Sequence, residues 1–347
     1  MRRLALIALL LTAVVVVFGA YVRLSDAGLG CPDWPGCYGK LSPAHAEEEI
    51  AAKHAADPHG WVSMPKAWKE MTHRYIASTL GLLIVALAVM AWRRWRRQRI
   101  APWLPFALVA VVVFQGLLGK WTVTLLLKPA IVSSHLLGGL TVLGLLTWIV
   151  HAESGVARRA VSSGRALAAR IGLVLVVAQI ALGGWVSTNY AAMACTDLPT
   201  CSGQWVPQGM DFDHGFHLVR ELGMTADGDR LPFGALQAIH WTHRVGAVVV
   251  GVFLLGFAAA LLRRRGERTL GAVLAAAVLL QIGLGMANVL LSLPLPLAVA
   301  HNAGAALLVI VMVSINYRLR ASPVIEGAQR SDHGLAASGT GSEGVRA

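Results

Sequence analysis

The chain has 347 residues, of which 56% are hydrophobic and 14% charged, and its formal net charge is +12. Its mean hydropathy of +0.62 excludes a soluble globular enzyme or carrier. The sequence therefore predicts an all-α integral membrane protein.

Eight apolar stretches are each long enough, at about 20 residues, to cross a bilayer as a helix. They are predicted at residues 4–22, 72–92, 103–124, 131–150, 169–188, 240–262, 269–290 and 297–317. The first is long for a signal peptide and no cleavage site follows it, so we expect it to remain as a span.

Basic residues mark one side of the predicted membrane. They cluster at residues 2–3, 93–99, 157–165, 263–268 and 318–320, which all fall at the same face. Positive residues stay in the cytoplasm, so both termini are expected inside. The net charge is then a topology signal, and no nucleic-acid partner is predicted.

This topology leaves two long loops outside, at 23–71 and 189–239, and each holds a cysteine pair. Cys31 and Cys37 stand in "CPDWPGC", and Cys195 and Cys201 stand in "CTDLPTC". The oxidising side and the equal spacing predict the disulfides Cys31–Cys37 and Cys195–Cys201. Such pairs either staple a loop or act as labile redox pairs, and the spacing alone leaves both open.

The cysteine pairs belong to an internal repeat. "QGLLG" at 115–119 corresponds to "QIGLG" at 281–285, and the offsets of 164 to 170 residues persist along the chain. The repeat predicts two four-helix bundles in parallel orientation, at residues 1–151 and 169–318. The tail, 319–347, is rich in Gly, Ser and Ala and is predicted to be disordered.

Four histidines occupy equivalent places in the repeat. His73 corresponds to His243 and His135 to His301, and each is predicted in the first turns of an even-numbered span near the outer face. One such histidine is ordinarily a polar interface residue. Four at one depth indicate a functional site, because polar groups within a membrane are costly.

Two imidazoles from opposite helices suit the axial positions of a haem iron, whereas zinc needs further ligands that neither half offers. Glycines at 138–140 and 304–306 either let a macrocycle approach the backbone or serve helix packing. Arg74 and Arg244 either pair with haem propionates or extend towards lipid headgroups. The residues thus predict two haem sites, with iron held by histidine.

The two halves differ three residues before the first histidine of each pair. Glu70 precedes His73, whereas His240 precedes His243. Glu70 could accept a proton or stabilise charge on a porphyrin substituent, or it could be a carboxylate favoured at a helix N-terminus. His240 is either a spare polar residue or a competitor for the iron. The asymmetry predicts chemistry in one half and a held cofactor in the other.

The motifs "VRLSDAGLGCPDWPGCYG", "EMTHR", "GKWTVTLLLKP", "IHWTHR" and "LPLPLAVAHN" occur in that order. Together they resemble the haem A synthase family over about residues 1–318. The resemblance implies haem b between His243 and His301, and haem O between His73 and His135. It also implies Glu70 as the catalytic carboxylate, and the Cys31–Cys37 pair as the one that matters for activity.

By this resemblance the reaction is oxidation of a porphyrin methyl group to a formyl group, for the haem A supply of cytochrome oxidase. The expected setting is the bacterial inner membrane, with the haem sites near the outer face. Possible partners are haem O synthase, cytochrome oxidase assembly factors and further copies of the chain.

Two alternatives come from other functional classes. A b-type dihaem electron-transfer subunit usually stacks its haems across the membrane, whereas these histidines lie at one depth. A haem carrier would perform no chemistry. Glu70 in one half only favours an enzyme over both.

Overall fold

The computed structural model describes residues 1–94, 100–101 and 103–321. Within these ranges eight helices are long and apolar enough to cross a membrane. They are α1 (Arg2–Leu24), α3 (Met64–Arg93), α4 (Leu104–Thr124), α5 (Pro129–Glu153), α6 (Ser163–Thr188), α8 (Phe233–Leu262), α9 (Arg268–Leu290) and α10 (Leu295–Arg318). The prediction of an all-α protein with eight spans is confirmed.

The two long loops that carry the cysteine pairs contain short helices of their own. In the first loop a 3₁₀ turn at Pro43–Ala46 leads directly into helix α2 (Glu47–Ala56). The second loop has a 3₁₀ turn at Ala191–Met193 and a single helical turn, α7 (Phe212–Gly215). The loops are therefore folded caps over the ends of the spans.

Two spans begin earlier than the apolar pattern indicates. Helix α3 starts at Met64 rather than 72, after the extended residue Ser63, and α8 starts at Phe233 rather than 240. Pro65, in the first turn of α3, has no N–H to lose there and fixes a helical φ, so the helix can begin among polar residues. The hydropathy pattern identifies only the apolar part of each helix, which is the part suited to lipid.

These extensions correct the predicted depth of the histidines within their helices. His73 is the tenth residue of its helix, His243 is the eleventh, and His135 and His301 are each the seventh. All four therefore lie beyond the first turn of the helix. Glu70, the seventh residue of α3, is also beyond the first turn, which removes its interpretation as a helix N-terminal carboxylate.

The helices of each half pack in a closed ring. In the first half α1 contacts α3 and α5, and α4 contacts the same two helices. In the second half α6 contacts α8 and α10, and α9 contacts the same two. The rings meet where α5 and α1 pack against α10, and α5 against α6. That the rings are repeats of one another stays a prediction.

A short parallel strand pair joins the two halves on the side of the predicted cytoplasmic loops. Strand β1 (Arg159–Val161) pairs with β2 (Leu319–Ala321), in the register Arg159 to Leu319. The prediction that disorder begins at 319 is therefore wrong for residues 319–321, which gain backbone hydrogen bonds from β1. The rest of the predicted tail, 322–347, lies outside the described residues.

Candidate haem-binding site

Both predicted disulfides are present, and each closes a loop over one end of a helix ring. Cys31 is bonded to Cys37 and Cys195 to Cys201, and all four side chains are buried. Inside each loop an aspartate organises the turn. Asp33 accepts hydrogen bonds from the backbone amides of Tyr38 and Gly39, and Asp197 accepts them from Ser202 and Gly203.

Glu70 joins the first disulfide loop to helix α3. Its Oε2 accepts a 2.9 Å hydrogen bond from the backbone N–H of Cys31, and its Oε1 lies 2.5 Å from Nη2 of Arg74. The residue is only 5% exposed. A buried carboxylate persists where it is paired and hydrogen-bonded, and Glu70 meets both conditions.

His240 has the corresponding place in the second half. Its Nδ1 accepts a 3.3 Å hydrogen bond from the backbone N–H of Cys195, and Nε of Arg244 lies 3.3 Å from its Nε2. Both ring nitrogens of His240 therefore have protein partners, which opposes its interpretation as a competitor for iron. A neutral imidazole replaces the carboxylate within otherwise equivalent contacts.

Arg74 and Arg244 hold the loops by their carbonyl oxygens. Nη1 of Arg74 donates to the carbonyl oxygens of Asp33, Pro35 and Gly36, at 2.9, 3.3 and 2.5 Å. In the second half the guanidinium of Arg244 donates to the carbonyl oxygens at 195, 197 and 200. These contacts give both arginines a structural role, and their contact with propionates stays a prediction.

The candidate ligands stand in pairs on opposite helices of each ring. His73 lies on α3 and His135 on α5, whereas His243 lies on α8 and His301 on α10. In each pair the two rings are close enough for a charge on one to affect the other. A glycine on a neighbouring helix makes room for each ring. A Cβ atom there would come within 2.8 to 3.5 Å of imidazole atoms, at Gly19 for His73, Gly119 for His135, Gly183 for His243 and Gly285 for His301.

These pairs fit an iron held by two axial imidazoles. Nδ1 of His135 and Nδ1 of His301 are buried and have no hydrogen-bond partner among the described residues, so a nitrogen of each ring is available to a metal. The described residues contain no cluster of three or more His, Cys, Asp or Glu side chains suited to a metal ion. Two imidazoles in each half are the ligand set of a bis-histidine haem.

The structure decides between the two interpretations of Gly138 and Gly304, the approach of a macrocycle or helix packing. A Cβ at Gly138 would overlap the side-chain amide of Gln115, and one at Gly304 would lie 2.1 Å from Oε1 of Gln281. These two glycines therefore accommodate glutamine side chains from the adjacent helices. Helix packing, and not the approach of a macrocycle, explains them.

Sequence reasoning missed the residues that surround the histidines. Gln179 and Gln281 hydrogen-bond His243 and His301, although Gln281 had appeared only as a landmark of the repeat. The signal that could have found both is the spacing His-x-x-Gly at 243–246 and 301–304. The glycine opens a place for a polar side chain one helical turn from the histidine.

Comparison with known proteins gives one consistent result. A family model described as COX15-CtaA, cytochrome oxidase assembly protein, matches residues 2–313. A haem A synthase from Shewanella oneidensis is 41% identical over 296 residues, which cover 82% of this chain and 86% of the relative. One from Sphingopyxis alaskensis is 30% identical and covers 81% of each chain. One from Rhizorhabdus wittichii is 29% identical and covers 83% and 84%.

Proposed function

Because the chain belongs to the COX15-CtaA family of cytochrome oxidase assembly proteins, we propose that it is a haem A synthase. It is then an oxidoreductase that converts haem O to haem A by oxidising a porphyrin methyl group to a formyl group. Its relatives from three bacteria carry this name. The observation that carries the proposal for this chain is the buried Glu70 beside His73, where the other half has His240.

We assign the two halves different tasks. His73 and His135 hold the substrate haem O, and His243 and His301 hold a resident haem b. When bound, haem b supplies one-electron redox chemistry. The unpartnered Nδ1 atoms of His135 and His301 support one site in each half. The difference between Glu70 and His240 supports chemistry in the N-terminal half alone.

Glu70 is the catalytic carboxylate in this proposal. The N–H of Cys31 and the guanidinium of Arg74 fix its two oxygens, so its orientation is set before substrate binds. From that position it accepts a proton or stabilises positive charge that develops on the substituent. Its burial under the disulfide loop limits the access of water to the reacting group.

The setting follows from topology and from the resemblance. We infer that both termini lie in the cytoplasm and that both haem sites lie near the outer face of the bacterial inner membrane. Haem O synthase, cytochrome oxidase assembly factors and further copies of the chain are the proposed partners. The alternative of an electron-transfer subunit is not favoured, because the curated relatives reported above are named as haem A synthases.

The test is to express the chain in a bacterium that makes haem O but no haem A, and to separate the extracted haems by chromatography. Formyl haem is expected with the wild-type chain and not with an empty vector. A chain that binds haem b but produces no formyl haem would contradict the enzymatic function. His73→Ala and His243→Ala are both expected to abolish the product. If His73→Ala produces as much formyl haem as the wild type, the assignment of the halves is wrong.

A further inference from the structure

A glutamine holds each histidine of the C-terminal half. Nε2 of Gln179, on α6, donates to the backbone carbonyl of His243 at 2.9 Å and lies 3.0 Å from its Nδ1. The amide occupies the space beside Gly246, where a Cβ would approach Oε1 of Gln179 to 2.3 Å. One side chain thus contacts both the ring and the backbone of the same histidine.

The second histidine of that half has the same arrangement. Nε2 of Gln281, on α9, donates to the backbone carbonyl of His301 at 3.1 Å and lies 3.3 Å from its Nε2. Its amide fills the space beside Gly304, three residues after the histidine. Each glutamine therefore hydrogen-bonds the backbone of its histidine and contacts one edge of its ring.

The N-terminal half lacks this feature. The repeat places Val15 opposite Gln179, and Ile76 takes the place of Gly246, so His73 has neither the amide nor the space for one. Its ring instead interacts with the backbone of Val15 and lies 6.4 Å from the ring of Phe18. The half assigned to substrate thus lacks an amide at its first histidine.

At His135 the corresponding glutamine is present, but its side-chain amide does not bind the ring. Gln115 fills the space beside Gly138, yet its Nε2 is buried without a hydrogen-bond partner among the described residues. Nδ1 of His135 is equally unpartnered. The ring of His135 interacts with the backbone of Gln115, as that of His301 does with Gln281, so what the two histidines of the N-terminal half lack is a side-chain amide at the ring.

We propose that Gln179 and Gln281 are positioning residues that make the C-terminal half the site that retains its haem. This inference rests on the proposed function, because it takes both histidine pairs as haem ligands. A ring already held by a neighbour loses less conformational freedom on ligation, and the orientation suited to the metal is fixed in advance. A resident cofactor needs such retention. A substrate that must leave as product does not.

The test measures release of haem b from the full chain carrying His73→Ala and His135→Ala, so that only the C-terminal pair can bind. The purified protein is loaded with haem b and mixed with excess apomyoglobin, and transfer is followed by the Soret band. Gln179→Val, which copies Val15, and Gln281→Leu should each release haem ~10–100-fold faster. Gln115→Leu is the matched control and should release it at the parent rate.

A second measurement separates positioning from general packing. The low-spin ferric signal in electron paramagnetic resonance depends on the relative orientation of the two axial imidazole planes. It should shift in Gln179→Val and Gln281→Leu and stay unchanged in Gln115→Leu. Equal release rates in all four proteins would overturn the proposal, and so would equal acceleration by Gln115→Leu.

The outcome also distinguishes this inference from the function on which it rests. If the wild-type chain makes formyl haem while both glutamine variants keep haem b as firmly as the parent, only the positioning role fails. If the parent protein binds no haem b, the assignment of the cofactor site fails and the positioning role fails with it.

Discussion

The backbone N–H of Cys31 donates a 2.9 Å hydrogen bond to the carboxylate of Glu70. Cys195 donates in the same way to the imidazole of His240, which occupies the equivalent position in the second half. Docking of a disulfide loop onto a helix is therefore common to both halves, and it requires no carboxylate. What Glu70 adds is negative charge and the capacity to accept a proton.

Glu70→Gln tests that difference. The amide oxygen can still accept from the N–H of Cys31, so the loop should stay docked, but proton acceptance and the ion pair with Arg74 are lost. We expect formyl haem to fall at least ~100-fold, the lower range for loss of a general acid or base. Haem b content should remain that of the wild type. Chromatography of extracted haems measures both quantities.

The matched control is His240→Gln, which makes the corresponding change in the other half. It keeps an acceptor for the N–H of Cys195 and removes no charge on which the proposed reaction depends. Formyl haem should stay close to the wild-type amount. Equal losses in Glu70→Gln and His240→Gln would show that both residues act only by docking their loops.

Arg74→Lys tests the hydrogen bonds from the guanidinium to the carbonyl oxygens of the first disulfide loop. Lysine keeps the charge but cannot reach several carbonyl oxygens in one plane. Hydrogen bonds to charged groups contribute about 1.5–3 kcal/mol each, so losing one should speed amide exchange in the loop by about 10- to 150-fold. Hydrogen–deuterium exchange of peptides spanning 31–40 measures this change.

Peptides spanning 195–204 serve as the internal control, because Arg244 still holds that loop in Arg74→Lys. The reciprocal variant Arg244→Lys should loosen the second loop and leave the first unchanged. Wild-type exchange in both loops, together with weaker haem binding, would instead support the interpretation of Arg74 as a propionate ligand.

The sequence could predict features that depend on local pattern. Apolar runs of about 20 residues predicted the spans, and equal spacing predicted the Cys31–Cys37 and Cys195–Cys201 disulfides. The partners of Arg74 could not be predicted, because they are carbonyl oxygens that only the folded loop brings together. Gln179 was missed for the same reason, since it is 64 residues from His243 in the chain.

Gly183→Ala tests the space beside the ring of His243, a candidate iron ligand. The added Cβ would lie 3.0 Å from Cε1 of His243, a contact that requires the ring or the helix to move. We expect lower haem b content and a shifted Soret band in the purified protein. Gly285→Ala, which places a Cβ 3.1 Å from Cε1 of His301, should have a similar effect.

Gly119→Ala is the contrasting variant, because its Cβ would lie an ordinary 3.5 Å from Cε1 of His135. It should bind haem O with the same spectral change as the wild type. Gly19→Ala, with a Cβ 2.8 Å from Nε2 of His73, should weaken that change. Equal behaviour of Gly19→Ala and Gly119→Ala would show that the rings tolerate the added methyl group.

The pKa of Asp197 predicts how the second loop responds to acid. A hydrogen bond from the Thr200 hydroxyl, followed by those from the amides of Gly203 and Ser202, lowers this pKa from 3.8 to about 2. Because the folded pKa is depressed, the stabilisation is fully present above the unfolded value and is lost as pH falls from about 3.8 to about 2.

Carbon-13 NMR of labelled aspartate carboxyls tests this prediction. It should show one signal with that low midpoint, absent in Asp197→Asn. Thr200→Val removes the largest cause and should move the midpoint back towards 3.8. A wild-type midpoint already near 3.8, or no movement in Thr200→Val, would contradict the hydrogen-bonding account of this turn.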